Sequence, residues 1–300
     1  MFRTTRGLHI IIMSARDNTT KKFTTACLQK MKNRGERITM LTAYDATFAR
    51  ILDEAGVESI LVGDSLGMVV QGHSNTIPVT IDDIIYHTKC VSRVVRKAHV
   101  MADMPFMSYQ ASIDQALINA GRCLKEGGAE SVKLEGGEEM IETVAAMTSA
   151  GIPVCAHIGL RPQTIHQMGG YKIQGKTTFS ADRLIEEAKG FEAAGAFSLL
   201  LEGIVAEVAL EITREVNIPT IGIGSGSGCD GQVLVIYDML GMDKSFSPKF
   251  VKKYADLNEI IADAVGKYVE EIKSGEFPSE EHSFYRELQV VKEMEAKCRS

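Results

Sequence analysis

Five short apolar runs, each closed by a carboxylate, constrain this chain more than any other feature. They cover residues 38–45, 59–64, 99–103, 131–135 and 198–202 and end at Asp45, Asp64, Asp103, Glu135 and Glu202. Each has the length and near-continuous apolar character of a parallel strand buried on both faces. Stretches of helical spacing lie between them, and alternating strands and helices imply a parallel sheet. Further runs at 153–160, 219–223 and 232–238 bring the strand candidates to eight, with the third expected to run on to 106 and the sixth to 204. Eight strand–helix units in about 250 residues match an α/β fold of the (β/α)8 TIM-barrel type. Closure gathers the strand C-termini, and with them the acids, at one mouth. A ring of acids in a concave site is costly unless something positive sits among them. The pattern therefore points to a metal ion and to chemistry. A doubly wound sheet is the nearest alternative, since residues 222–226 read Gly-Ile-Gly-Ser-Gly. That segment follows the seventh strand, however, and no dinucleotide loop opens the chain.

Glycines and caps set the expected helices: 24–34 stopped by Gly35, 46–55 stopped by Gly56, and one opened by Thr80 that runs to about 97. Others are expected at 112–126, 138–150, 181–194, 206–216 and through the 250s and 260s. Residues 65–80 read as a polar excursion, a hairpin candidate. Residues 161–180 form a long loop containing Gly169, Gly170 and Gly175, of the kind used as lids or binding loops. One barrel domain is expected over 24–285, with an arm at 1–23 and a charged tail at 286–300 that adds a peripheral helix. The arm carries Arg3, Arg6 and Arg16 and a short apolar patch at 8–13. The patch is too short and lacks the cleavage site of a secretory signal. The arm reads as disordered, or as an overlong start with Met13 as initiator.

Lysine and arginine number 33 against 39 aspartates and glutamates, a net charge of −6. No basic excess exists to meet phosphates, which argues against nucleic acid as a partner. No apolar run approaches the roughly 20 residues that span a bilayer. The six cysteines are scattered without a Cys-x-x-Cys pair, as expected of reduced thiols in a cytoplasmic protein. Cys155, two residues before His157, reads as core packing.

Asp64 and Asp103 end neighbouring strands. Two carboxylates plus waters and substrate oxygens suit a hard cation such as Mg²⁺, and Glu135 completes the set directly or through water. The competing reading of each acid is helix capping. Lys133 and Glu135 lie two apart and share a strand face. They form either a structural ion pair or a site where the lysine holds a substrate carboxylate. Glu202 ends a fully apolar approach, and burial raises a carboxylate pKa toward the range of a general base. A salt bridge to a neighbouring strand is the alternative. His157 is either a satisfied core histidine or a substrate contact. Residues 224–228 are either a phosphate cradle or a tight turn needing positive φ.

Eight motifs in order resemble the ketopantoate hydroxymethyltransferase family: Val62-Gly-Asp-Ser-Leu-Gly-Met68, Ala102-Asp-Met-Pro-Phe-Met107, Lys133-Leu-Glu-Gly-Gly137, His157-Ile-Gly-Leu160, Gly169-Gly-Tyr-Lys172, Ile221-Gly-Ile-Gly224, Asp230-Gly-Gln232 and Glu280-Glu-His-Ser-Phe284. The resemblance covers about residues 24 to 285, with Ser225 standing where alanine is expected of the family. It implies a (β/α)8 barrel assembled as a homodecamer that performs the first step of pantothenate synthesis. By motif, Asp64 and Asp103 resemble the Mg²⁺ ligands, with Glu135 completing the site. Asp103 also resembles a substrate contact, Ser65 and Lys133 resemble the groups holding the ketoacid carboxylate, and His157 resembles a further substrate contact. Glu202 resembles the catalytic base. The implied substrates are 3-methyl-2-oxobutanoate and 5,10-methylenetetrahydrofolate. The alternative enzyme is a Mg²⁺-dependent 2-oxoacid carbon–carbon lyase of the phosphoenolpyruvate mutase and isocitrate lyase type. Such lyases rely on a lid cysteine, and residues 161–180 contain none. A non-catalytic scaffold does not need charges in a barrel mouth.

Overall fold

Eight strands, every pair parallel, close into a barrel in sequence order. In the computed structural model, which describes residues 21–243 and 248–285, they are β1 (Ile38–Thr42), β2 (Ser59–Val62), β3 (His99–Asp103), β4 (Ser131–Glu135), β5 (Val154–Gly159), β6 (Ser198–Glu202), β7 (Thr220–Ile223) and β8 (Gly231–Leu234), with β8 returning to β1. Helix α1 (Thr25–Arg34) precedes β1, and α2 (Ala46–Ala55) links β1 to β2. Then come α3 (Leu66–Val69) and α4 (Ile81–Ser92) before β3, α5 (Ile113–Lys125) before β4 and α6 (Ile141–Ser149) before β5. Helices α7 (Ile165–Met168) and α8 (Thr178–Ala193) precede β6, and α9 (Ala206–Glu215) precedes β7. Helices α10 (Ile236–Met239) and α11 (Leu257–Ser274) follow β8. The expected (β/α)8 architecture is therefore present.

The described residues divide into two compact units, 21–236 with 248–251, and 237–243 with 252–285. The first holds the barrel and its core. Inward residues Ile38, Met40, Leu61, Met101, Cys155, Leu200, Ile221 and Val233 fill the barrel as one buried cluster, and Leu28 of α1 packs against them. Burying a side chain like Leu28 contributes about 1.5–3 kcal/mol. Cys155 is core, as expected. The second unit holds α11, whose Ile261, Val265, Tyr268, Val269 and Ile272 are 40–56 % exposed. Among the described residues, no helix is long and apolar enough to cross a membrane. The readings of residues 1–20 and 286–300 lie outside the described residues.

Several boundaries differ from expectation, each for a local reason. The helix after Thr80 stops at Ser92 rather than near 97, because the buried Asp53 carboxylate accepts the N–H groups of Arg96, Lys97 and Ala98 at 2.7–3.0 Å. Those amides therefore need no helical partner. Helix α8 starts at Thr178 rather than 181, because Thr177 and Ser180 form a reciprocal capping box. Residues 65–80 form no hairpin; they hold α3 and irregular chain. The last strand ends at Leu234 rather than 238, where the Ile236 N–H turns to Thr42 Oγ1 and opens α10. The first ends at Thr42, and Asp45 lies beyond it as the N-cap of α2, accepting from the N–H groups of Thr47 and Phe48 at 2.7 and 2.9 Å. Such a cap stabilises the helix by about 1 kcal/mol. Asp45 is thus the one carboxylate of the five taken up by local capping.

Candidate active site at the barrel mouth

Strand register decides which acids become neighbours. Asp103 on β3 stands level with Lys133 on β4, Glu135 with His157 on β5, and Gly159 with Glu202 on β6. Side chains two apart along a strand share a face, so Lys133 and Glu135 point to the same side, toward Asp103 and His157. Lys133 Nζ donates to Asp103 Oδ1 at 2.6 Å and lies 3.9 Å from Glu135 Oε1. Asp103 Oδ2 accepts the backbone N–H of Asp64 at 3.1 Å. His157 lies between two acids, Nδ1 3.5 Å from Glu135 Oε1 and Nε2 3.4 Å from Glu202 Oε2. At those separations neither ring nitrogen makes a protein hydrogen bond. The close passage of β5 past Glu202 requires Gly159: at φ +99° its added Cβ would stand 2.3 Å from the Glu202 carbonyl oxygen.

Asp64, Asp103, Lys133, Glu135 and His157 are all at most 5 % exposed, while the Glu202 side chain keeps 18 % open to the mouth. Four carboxylates thus face one ammonium. Burial, then the neighbouring Asp103 and Glu135 charges, push Asp64 well above its ordinary carboxylate range against the pull of Lys133. Burial raises Glu135 to about 7, with Lys133 opposing. Burial and then Glu135 raise Glu202 to about 8. Burial works against the charge on Lys133, but Asp103, Glu135 and Asp64 together outweigh it and keep the amine protonated. Burial, and then Lys133, drive His157 well below its ordinary value, so the imidazole is neutral. Lys133 thus lies closer to Asp103 than to Glu135, and Glu202 has a neighbour on β5 that is a neutral histidine rather than a cation.

Among the described residues, no three His, Cys, Asp or Glu side chains stand at the spacing of a ready metal cage. A Mg²⁺-type ion does not need one, since it takes one or two carboxylates and keeps several waters. The donor set fits such an ion: hard carboxylate oxygens of Asp64, Asp103 and Glu135, buried and in excess over the one ammonium among them. Ser65, beside Asp64, has its Oγ 2.9 Å from the hydroxyl of Tyr44. The segment 224–228 has positive φ at Gly224 and Gly226, as a tight turn requires. It lines a separate cleft of about 900 Å³ with Arg37 and Lys249, and none of the ring acids lines that cleft.

Two residues at the site carry no sequence signal. Gln163 sits in the 3₁₀ turn Pro162–Thr164 after β5 and is 2 % exposed. Its Nε2 donates to Asp64 Oδ2 at 3.0 Å and to the Met104 carbonyl at 2.9 Å, and its backbone N–H donates to Glu135 Oε2 at 3.1 Å. Tyr109, on the loop after β3, is 2.7 Å from Gln163 Oε1 through its hydroxyl and accepts the Glu135 N–H at 3.0 Å.

The sequence model of the ketopantoate hydroxymethyltransferase family matches residues 22–280. A protein of Geobacter sulfurreducens named 3-methyl-2-oxobutanoate hydroxymethyltransferase is 58 % identical over 257 residues, covering 86 % of this chain and 96 % of its own. A namesake in Syntrophus aciditrophicus is 57 % identical over 264 residues, covering 88 % and 97 %. Among solved structures, phosphonopyruvate hydrolase superposes with a TM-score of 0.58 at 10 % identity, covering 92 % of this chain and 96 % of that one. The 2,3-dimethylmalate lyase of the PEP mutase/isocitrate lyase superfamily gives 0.56 at 16 % identity, covering 92 % and 94 %. At that identity the superpositions concern the fold alone.

Proposed function

The chain belongs to the ketopantoate hydroxymethyltransferase family, and from that premise we propose that it transfers a one-carbon unit from 5,10-methylenetetrahydrofolate to 3-methyl-2-oxobutanoate, giving 2-dehydropantoate. The observation that carries this reading is the cluster of four carboxylates around one buried lysine at the barrel mouth. We assign Asp64 and Asp103 as the residues that would hold Mg²⁺, with Glu135 completing the set directly or through water. The bound ion would supply a Lewis acid to the oxygens of the oxoacid.

Glu202 is the base. With its pKa raised to about 8, its carboxylate has the proton affinity to accept a proton from C3 of the oxoacid near neutral pH. Its side chain keeps access to the mouth. Lys133 has three donors and spends one on Asp103, so two remain for the substrate carboxylate, with the Ser65 hydroxyl as a second contact. The neutral His157, between Glu135 and Glu202, has one N–H to give and orients Glu202 or the substrate without adding charge. The folate methylene carbon gives up both its bonds to nitrogen and gains one to the deprotonated C3 and one to a water oxygen, while the proton taken from C3 and one water proton end on the two nitrogens of the departing tetrahydrofolate. The lyase reading draws on the shared fold alone, and residues 161–180 offer it no cysteine.

The protein is proposed to act in the cytoplasm on small molecules and to self-associate. Support for self-association comes from the apolar side of α11, where Ile261, Val265, Tyr268, Val269 and Ile272 are exposed at helix spacing. A homodecamer is the assembly the family resemblance implies, and sedimentation tests it. The reaction is tested by turnover with Mg²⁺ or EDTA, with product detected by mass. A second readout is exchange of the C3 proton of 3-methyl-2-oxobutanoate in D₂O, followed by NMR without folate. Product and exchange that need Mg²⁺, both lost by 10²–10⁴-fold in Glu202→Gln, are expected. Folded, Mg²⁺-saturated protein without either activity would overturn the reading.

A further inference from the structure

Gln163 uses the hydrogen-bonding capacity of its amide in a buried position. Its two N–H hydrogens go to Asp64 Oδ2 and the Met104 carbonyl. Its oxygen faces the Tyr109 hydroxyl at 2.7 Å and Gln110 Nε2 at 3.3 Å. The orientation is determined by this network: flipping the amide would set its oxygen against a carboxylate and a carbonyl, two acceptors. The same residue reaches a second acid through its backbone N–H, at Glu135 Oε2. One residue of the β5–α8 loop thus spans the ends of β2, β3 and β4, which carry the three acids of the proposed cation site.

We propose that Gln163 is a positioning residue for the cation site: its amide holds Asp64 Oδ2 and its backbone holds Glu135 Oε2, so that each acid turns its other oxygen to the ion. This rests on the cation reading above and deepens it. A carboxylate left to rotate in a cluster of like charges turns away from its neighbours and must be reoriented whenever an ion binds. Holding one oxygen of Asp64 and one of Glu135 in place removes that cost beforehand. Outer hydrogen-bond partners of this kind commonly change metal affinity by about 10–100-fold. The Tyr109 hydroxyl orients the amide in turn and bonds the Glu135 backbone as well, so it acts in the same direction at one remove. Because Gln163 lies at the base of the loop that continues through α7 to Thr177, these hydrogen bonds join the loop's base and the acids into one bracket.

The test uses the full chain and Mn²⁺ as the probe, read by electron paramagnetic resonance titration of free Mn²⁺, which needs no turnover. Gln163→Leu keeps the bulk and removes the amide, Tyr109→Phe keeps the ring and removes the hydroxyl, and Gln110→Leu is a control that touches Gln163 but no acid. Expected are a 10–100-fold weaker Mn²⁺ affinity in Gln163→Leu, a loss of a few-fold in Tyr109→Phe, and affinity within twofold of wild type in Gln110→Leu. The Mg²⁺ concentration for half-maximal activity should rise in parallel in Gln163→Leu, while kcat at saturating Mg²⁺ returns to within a few-fold of wild type. A merely structural role would lower the unfolding temperature in EDTA and leave the affinity of the folded protein unchanged. Should Gln163→Leu fail to fold, Tyr109→Phe decides, and unchanged Mn²⁺ affinity there refutes the bracket. Gln163→Leu binding Mn²⁺ within twofold of wild type refutes the positioning role while the cation site stands. Wild-type protein that binds Mn²⁺ without making product refutes the proposed reaction while the bracket is still measured. Wild-type protein that binds no Mn²⁺ overturns both the cation reading and this one.

Discussion

Replacing Lys133 with methionine isolates the electrostatics of the site. The ammonium is 4 % exposed and is the single cation within the ring, 2.6 Å from Asp103 and 3.9 Å from Glu135. Methionine fills much of its volume but leaves Asp103 with only the Asp64 N–H as a close donor. Removing one partner of a buried ion pair costs about 3–5 kcal/mol. For a folding unit of about 150–250 residues each kcal/mol lowers the unfolding temperature by roughly 2–4 °C, so a fall of about 10 °C is expected in EDTA. The pH dependence has a definite sign. Glu135 and Glu202 already have folded pKa values of about 7 and about 8, above the ordinary value of 4.5. The folded state therefore binds protons that the unfolded state has released, and stability falls as pH rises from near 4.5 through that range. Losing Lys133 raises those folded values further, so the deficit of the variant is largest above pH 8 and shrinks toward pH 5. Mg²⁺ should narrow it as well, by returning positive charge to the ring. Calorimetric scans of both proteins at pH 5.5, 7 and 8.5, with EDTA or Mg²⁺, test this. A deficit below about 3 °C at pH 8.5 in EDTA, or one that does not change with pH, would refute the charge argument.

Proton removal by Glu202 requires its carboxylate, so C3 exchange should rise with pH up to a limb below about 8, because a bound cation offsets the Glu135 charge that helps raise Glu202. Burial keeps the limb above 4.5, and a limb at 4.5 in the exchange profile would contradict the buried-base assignment. Gly159→Ala sets a Cβ 2.3 Å from the Glu202 carbonyl oxygen at φ +99°; backbone strain alone costs about 1–3 kcal/mol. Unfolding temperature and kcat should both drop, and activity within twofold of wild type would show that β5 and β6 separate without consequence. Leu200→Ala, in the barrel interior, should cost about 2–5 kcal/mol by thermal unfolding while leaving the Mn²⁺ affinity of the folded fraction unchanged.

The barrel was legible because strands buried on both faces must be apolar along their length, and seven of the eight runs stand out for that reason. The eighth was overdrawn: Val235, Ile236 and Tyr237 continue the apolar run, yet the Ile236 N–H turns to Thr42 on the neighbouring strand β1 and starts a helix. The four mouth acids, with Lys133 and His157, were also legible, since a charge at the end of a buried run requires a partner or a task. Asp45 looked the same as Asp64 in that respect. Its donors lie two and three residues away, and those of Asp64 include a side chain 99 residues on. No pattern along the chain separates a carboxylate that caps a helix from one that faces a cluster.

Residue order thus determined the number of strands, their direction and the acids that close them, because burial and alternation are local properties. Tertiary structure alone decided which groups meet. Parallel register set Asp103 beside Lys133 and Glu135 beside His157. Closure brought Gln163 across to Asp64, through a loop whose polar composition marks no contact in advance. The physical reason is the range of the interaction: helix and strand propensities act over a few residues, whereas the charges that shift one another here are brought together by barrel closure.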